Sequence, residues 1–264
     1  MMIKVLVNGA GGKMGSEVVR SVVQEEGLIL VGGVDPKDSG RDIGDLVGIE
    51  KKGIIVEHQL SDALKNSKPE VVVDFTSPAI IYENAKMVLG AGINMVIGTT
   101  GLTAAQRDDL AQICTETGAN CLIAPNFSLG AVLLMKVSTE IVKYLPNVEI
   151  VELHHNHKLD APSGTAKLTA EKMAAARVLE PDADETIESL SGVRGGRYEN
   201  IPIHSIRLPG YVAHQEVLFG GYGEILTLRH DSLDRKSFMP GVMLACKKVM
   251  TTKGLVYGLE NYLE

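Results

Sequence analysis

The chain has 264 residues, a net charge of −7 with acids and bases interleaved, and no tryptophan. No apolar run is long enough to span a bilayer, and no basic stripe or stacking platform suits nucleic acid, so neither a membrane nor a nucleic acid is expected as a partner. Cys114, Cys121 and Cys246 lie far apart with no CxxC pair, which argues against a disulfide framework and for a reducing compartment, the cytoplasm.

The N-terminal residues run directly into a short apolar strand (3–7), without the apolar core and cleavage site of a signal peptide. Gly9-Ala-Gly-Gly-Lys-Met-Gly15 follows, then a helix pattern with Val18, Val19, Val22 and Val23 on one face. Residues 28–34 form the next apolar strand, closed by Asp35, and 54–56 and 71–75 read as further buried strands. Ser77-Pro78 suits a helix start, with Ser as N-cap and Pro at the first helical position. Residues 94–97 read as a strand. Thr103 and Gln106 form a capping-box pattern that opens a helix carrying Leu110, Ala111 and Cys114 inward, and 120–124 is the last strand of this series. Apolar strands separated by amphipathic helices predict a parallel sheet covered on both faces, with ligands beyond the carboxyl ends of the strands.

Those ends carry Gly9 to Gly15, Asp35, Phe75-Thr-Ser-Pro78, Gly98-Thr-Thr-Gly101 and Ala124-Pro-Asn-Phe127. A glycine loop between strand and helix lets a pyrophosphate approach the backbone and the helix N-terminus. The strict GxGxxG pattern fails, because Met14 stands where its third glycine belongs; the spacing that fits is Gly9, Gly12, Gly15. A tight turn with no ligand is the bland alternative. The strand before, the helix after and Asp35 at the end of the second strand favour a dinucleotide, whose ribose hydroxyls Asp35 can bind. Asp35 favours NADH, since a 2′-phosphate would meet its charge, while Lys37 can offset it and admit NADPH. Dual use with a lean to NADH is the expectation.

After Asn126 the pattern changes. A helix (129–144) and a strand (148–153) lead into Glu152-Leu-His-His-Asn-His-Lys-Leu-Asp-Ala-Pro-Ser-Gly-Thr-Ala166, followed by a helix from about 166 to 177. Three histidines and a lysine supply proton donors, with histidine titrating near neutrality. Pro162-Ser-Gly-Thr165 before a helix N-terminus makes an anion pocket. A proton donor beside a carboxylate pocket suits a reductase of a small carboxylated substrate. A zinc site at His154, His155 and His157 is disfavoured, because successive strand residues face opposite ways, and no metal is expected. A merely structural polar loop is the other alternative.

These motifs together resemble the dihydrodipicolinate reductase family over essentially the whole chain, including Phe219-Gly-Gly-Tyr-Gly-Glu224, Arg229-His-Asp-Ser232, Arg235 and Phe238-Met-Pro-Gly241. The resemblance implies an NAD(P)H-dependent reduction of 4-hydroxy-tetrahydrodipicolinate, a small cyclic dicarboxylate, in the diaminopimelate route to lysine. It implies His154 as proton donor and acceptor, and Lys158 as a second proton donor, with pairing to a substrate carboxylate as the alternative for Lys158. His155, Ser163, Gly164 and Thr165 would bind substrate. Gly9, Ala10, Gly11, Gly12, Lys13, Met14, Asp35 and Lys37 would hold the cofactor, with Gly98, Thr99, Thr100, Ala124, Pro125, Asn126 and Phe127. Some members have an acidic residue followed directly by arginine at the end of the second strand; here Pro36 intervenes before Lys37, which weakens the grip on a 2′-phosphate.

The implied fold class is α/β: a Rossmann-type parallel-sheet domain (1–127 and 240–264) interrupted by an inserted α+β domain (128–239) on an open mixed sheet. The inserted domain would bind substrate and build a homotetramer. Strand-like runs at 212–219 and 224–229 and a helix at 242–250 fit this plan. Arg194-Gly-Gly-Arg197 reads as a solvated loop, or as a mobile basic loop near the active site. An amino-acid dehydrogenase of the same two-domain plan and a non-enzymatic dinucleotide sensor share the cofactor half, but neither predicts the His154 to Thr165 run.

Overall fold

The structure, a computed structural model, describes residues 2–263. The chain divides into two compact units: one runs to Phe127 and resumes at Phe238, and the other is Ser128–Ser237. Among the described residues no helix is long and apolar enough to cross a membrane.

The first unit alternates β1 (Ile3–Asn8), α1 (Lys13–Gln24), β2 (Leu28–Val34), α2 (Ile43–Val47), α3 (Leu60–Ser67), β3 (Val71–Asp74), α4 (Ile81–Gly90), β4 (Asn94–Ile97), α5 (Ala104–Thr117) and β5 (Cys121–Ile123). The second unit supplies α6 (Leu129–Ile141), β6 (Asn147–His154), α7 (Gly164–Ala176), β7 (Gly196–Tyr198), β8 (Ile201–Arg207), β9 (Ala213–Gly221) and β10 (Glu224–Ser232). The chain then returns with α8 (Met239–Lys248) and β11 (Leu255–Tyr257).

In the first unit the strands pair in the order β11-β5-β4-β3-β1-β2, all parallel. Val71, Val72 and Val73 are fully buried, as a strand covered on both faces requires. The chain leaves β1 toward β2 on one side, and leaves β3 toward β4 on the other. The carboxyl ends of β1 and β3 therefore flank the topological switch point where open α/β sheets bind ligands. On α1 the side chains of Val18, Val19 and Val22 are buried, at the spacing of one helical face. The capping box at Thr103 and Gln106 is formed, and α5 turns Leu110 and Cys114 inward.

Two local expectations fail. Residues 54–56 make only one isolated bridge, Asp42 to Ile55, with a second at the adjacent Glu57 to Val34, because Gly53 at φ +70° turns the chain just before them and Ile55 is exposed. Ser77 and Pro78 lie in a turn, and α4 begins at Ile81; the Ser77 carbonyl accepts from the Ile80 and Ile81 N–H groups before the helix settles. The helices α2 and α3 and the strands β7, β8 and β11 had no counterpart in the sequence reading.

The second unit is a mixed sheet in the order β10-β9-β6-β8-β7, parallel only between β6 and β8. Ala166, Ala170 and Met173 of α7 pack with Leu134 of α6 against Val148, Ile150, Ile201, Val217 and Phe219. On β6 the alternation puts Val148, Ile150 and Glu152 on this covered face. A carboxylate thus follows two aliphatic residues into the core.

Candidate active site

The mouth of the first sheet is organised by Asp74, the fully buried last residue of β3. Its carboxylate accepts from Asn8 Nδ2 (2.7 Å), Asn84 Nδ2 (3.1 Å), Thr76 Oγ1 (2.7 Å), Thr99 Oγ1 (2.8 Å) and the Thr76 N–H (3.0 Å). One side chain therefore ties the ends of β1, β3 and β4 to α4. Phe75 and Phe127 pack with ring centroids 5.8 Å apart, and Ala124 and Phe127 are buried after β5. Thr99 is buried, whereas Thr100 and Pro125 are exposed and Gly98 and Asn126 are half-buried.

Gly9 turns at φ +84°, and a Cβ on Gly15 would fall 1.9 Å from the Gly9 carbonyl oxygen, so α1 can sit this close to the loop only with glycine there. The third essential glycine is thus at position 15, not at Met14. At the start of α1, Gly12 provides no side-chain cap, and the first turn has no acidic residue. The positive end of its dipole is therefore left for an anion. Asp35 accepts from the N–H groups of Gly11 and Lys37, both at 3.0 Å. Asp38, which also holds Arg41 at 2.7 Å, turns to the same place: a Cβ on Gly11 would lie 2.4 Å from Asp38 Oδ2 and 2.8 Å from Asp35 Oδ2. Lys13 and Lys37 are exposed on either side. These features fit a dinucleotide: a glycine cradle, an uncancelled helix dipole and two carboxylates beside the glycine loop, at and just past the end of β2.

In the second unit, β6 ends on His154, whose Nδ1 donates to Glu152 Oε2 at 2.5 Å. Glu152 is fully buried. Arg207, opposite His154 on β8, closes a fork on the same carboxylate, with Nη1 to Oε2 at 2.9 Å and Nη2 to Oε1 at 2.7 Å. The Ser163 N–H adds a fourth bond, 3.2 Å to Oε1. Burial alone would push the Glu152 carboxyl up, but the hydrogen bonds from His154 and Arg207 lead the effects that outweigh it and bring it down to about 2. Ser163 caps α7 by accepting from the Ala166 N–H (3.2 Å), so its buried side chain shapes the turn that Gly164 and Thr165 continue. Gly164 is exposed and Thr165 half-buried at the start of this 13-residue helix, which has no acidic residue in its first turn.

Lys158 donates to Asp160 at 2.7 Å, and the carbonyl of Asp160 accepts from Arg207 Nη2 at 2.8 Å. The lysine hydrogen bond holds the Asp160 carboxyl below its ordinary range. His155 and His157 are exposed, with ring centroids 6.3 Å apart. Among the described residues no cluster of His, Cys, Asp and Glu is arranged to hold a metal ion.

His154, Lys158, Ser163 and Gly164 are thus gathered around one buried ion pair. Sequence reasoning gave no role to Glu152 or to Arg207. Position offered a signal for Glu152, which lies two residues before His154 and so on the same strand face. For Arg207 the signal was the apolar alternation at Ile201 and Ile203, masked by Pro202 between them. The 194–197 loop is not a free basic loop. Arg194 pairs with Glu149 and Asp184, Arg197 pairs with Asp184, and His204 bonds Glu149 at 2.8 Å.

Family models cover both units. The model "Dihydrodipicolinate reductase, N-terminus" matches residues 3–127, and "Dihydrodipicolinate reductase, C-terminus" matches 130–263. A 4-hydroxy-tetrahydrodipicolinate reductase of Moorella thermoacetica is 48% identical over 99% of this chain and 98% of its own. One of Listeria innocua is 49% identical over 99% of this chain and 100% of its own. A solved structure of dipicolinate-bound dihydrodipicolinate reductase from Paenisporosarcina sp. TG-14 matches with TM-score 0.89 and 43% identity over the full length of both chains. An amine dehydrogenase of Mycobacterium smegmatis, at 14% identity, 96% of this chain, 94% of its own and TM-score 0.68, shares the fold alone.

Proposed function

The chain belongs to the dihydrodipicolinate reductase family, and from that premise we propose how its own residues carry out the family's reaction. It is an oxidoreductase that reduces 4-hydroxy-tetrahydrodipicolinate with a nicotinamide cofactor in the diaminopimelate route to lysine. The cofactor, when bound, supplies hydride. The Gly9 to Gly12 loop and the N-terminus of α1 take its pyrophosphate, with Ala10, Lys13 and Met14 lining the cradle. Gly98, Thr99, Thr100 and the Ala124 to Phe127 turn shape the nicotinamide side. Asp35 takes the ribose hydroxyls. With Asp38 beside it, a 2′-phosphate meets two carboxylates, so NADH is the preferred cofactor and NADPH is accepted more weakly through Lys37.

On the second unit His154 is the acid. Glu152 takes its Nδ1–H, which leaves Nε2 to deliver the proton. The N-terminus of α7, with Gly164 and Thr165 and the cap at Ser163, takes a substrate carboxylate, and His155 takes part in the same binding. Lys158, poised on Asp160, is a second proton donor. The observation that carries this reading is the hydrogen-bonded set His154, Glu152 and Ser163, because it joins a proton donor to an anion-binding helix end through one carboxylate. Exposed Tyr222, Ile225 and Leu226 at the β9–β10 edge support self-association, and a homotetramer is the assembly we assign.

The test is cofactor oxidation by the purified protein given freshly made 4-hydroxy-tetrahydrodipicolinate with NADH or NADPH. Turnover with both and a higher kcat/KM for NADH are expected. No oxidation with either would refute the assignment, and a preference for NADPH would refute the role given to Asp35 and Asp38.

A further inference from the structure

We propose that Glu152 is a positioning residue that fixes the tautomer of His154, and that Arg207 and the Ser163 N–H hold Glu152 to that task; this rests on the proposed role of His154 as proton donor. The carboxylate is wholly buried and takes four donors: His154 Nδ1 and Arg207 Nη1 on Oε2, and Arg207 Nη2 and the Ser163 N–H on Oε1. An ionised carboxylate only accepts, so His154 must donate through Nδ1. The neutral ring then carries its proton on Nδ1, and Nε2 is the nitrogen that gains and loses the transferred proton. Among the described residues Nε2 has no hydrogen-bond partner, and the side chain is 14% exposed, as a group that meets a ligand should be. The tautomer is therefore preset before substrate arrives.

The same carboxylate reaches the other parts of the site. Its Oε1 anchors the first residue of the Ser163 turn, and Arg207 reaches on to the Asp160 carbonyl beside Lys158. A Glu152→Gln substitution separates the two tasks. The Oε1 position faces two donors, Arg207 Nη2 and the Ser163 N–H, and draws the amide oxygen. The amide NH2 then sits at the Oε2 position, where it costs Arg207 Nη1 its acceptor but faces His154 Nδ1, the one donor of the four that can turn acceptor. That nitrogen has to accept, and the ring proton moves to Nε2. The Ser163 turn keeps its anchor while the ring loses the state in which both nitrogens carry protons. Glu152→Ala, by contrast, removes the anchor and the orienting group together.

The experiment is histidine nitrogen NMR on the full-length protein, at a pH where His154 is neutral, for the wild type and Glu152→Gln. It is joined to steady-state kinetics of Glu152→Gln, Glu152→Ala and His154→Ala. The wild type should show Nδ1–H and Glu152→Gln should show Nε2–H. In Glu152→Gln kcat should fall about 10²-fold or more while the substrate KM moves less than about threefold; Glu152→Ala should lower kcat and also raise KM. A wild-type ring protonated at Nε2 overturns the proposal even if the variants do not fold, and so does an unchanged tautomer in Glu152→Gln. If the tautomer switches but His154→Ala keeps full turnover, the positioning inference stands and the acid role of His154 falls.

Discussion

At Glu152, hydrogen bonding and burial oppose each other, and the sign of the outcome has a measurable consequence. The carboxyl is held at about 2, below its ordinary 4.5, so its contribution to stability is complete above pH 4.5 and is lost as pH falls toward 2. A shift of that size corresponds to about 3 kcal/mol. Urea unfolding of the wild type and of Glu152→Gln across pH 6 to 3 should show their stability difference shrinking toward the acid end; a constant difference would mean that the ionised form is not what the fold favours. Asp74 makes a second case. Its carboxylate collects five donors in a fully buried place, so Asp74→Ala leaves several of them without an acceptor. Unfolding should cost about 1–3 kcal/mol less, and NADH titrations should show weaker binding, since the loops that Asp74 ties line the proposed cofactor mouth.

At the level of elements, α1 rests on one close approach. Gly15→Ala puts a methyl group inside the van der Waals radius of the Gly9 carbonyl, and the helix must move off β1. A stability loss of about 1–3 kcal/mol is expected from thermal unfolding, with weaker NADH binding because the helix N-terminus moves too. Thr103→Ala, which removes the hydroxyl half of a solvent-exposed capping box, should cost about 1 kcal/mol and leave NADH binding unchanged. The alternating pattern of the first unit was readable because its sheet strands are short aliphatic runs and because α1 and α5 begin at Gly12 and Thr103, residues that mark helix starts. The same rule overreached at 54–56, where the aliphatic residues join no sheet strand and Ile55 makes only an isolated bridge. It fell short at β8, since a proline beside the edge pairing hides the alternation that delivers Arg207. The reactive stretch from His154 to Thr165 was visible by composition. The carboxylate and guanidinium that organise it were not, because neither residue type announces whether it faces solvent or core.

For the whole molecule the decisive fact is that the first unit is closed by its last residues. β11 pairs with β5, and α8 buries Met239, Val242, Met243, Ala245 and Cys246. Deleting 239–264 should abolish cooperative unfolding of the first unit and NADH binding, measured by circular dichroism and cofactor fluorescence, although every proposed cofactor residue is retained. The interruption also sets the order of events on the ribosome. After β5 emerges, its neighbour β11 waits while residues 128–254 are translated. At ~5–20 residues per second this delay is on the order of ten seconds. Throughout it Cys121–Ile123 presents an unpaired strand edge, the kind of surface to which other nascent chains adhere. The inserted unit, whose sequence is continuous, can finish folding first. A longer insertion after Phe127 would lengthen this exposure in proportion to the residues added.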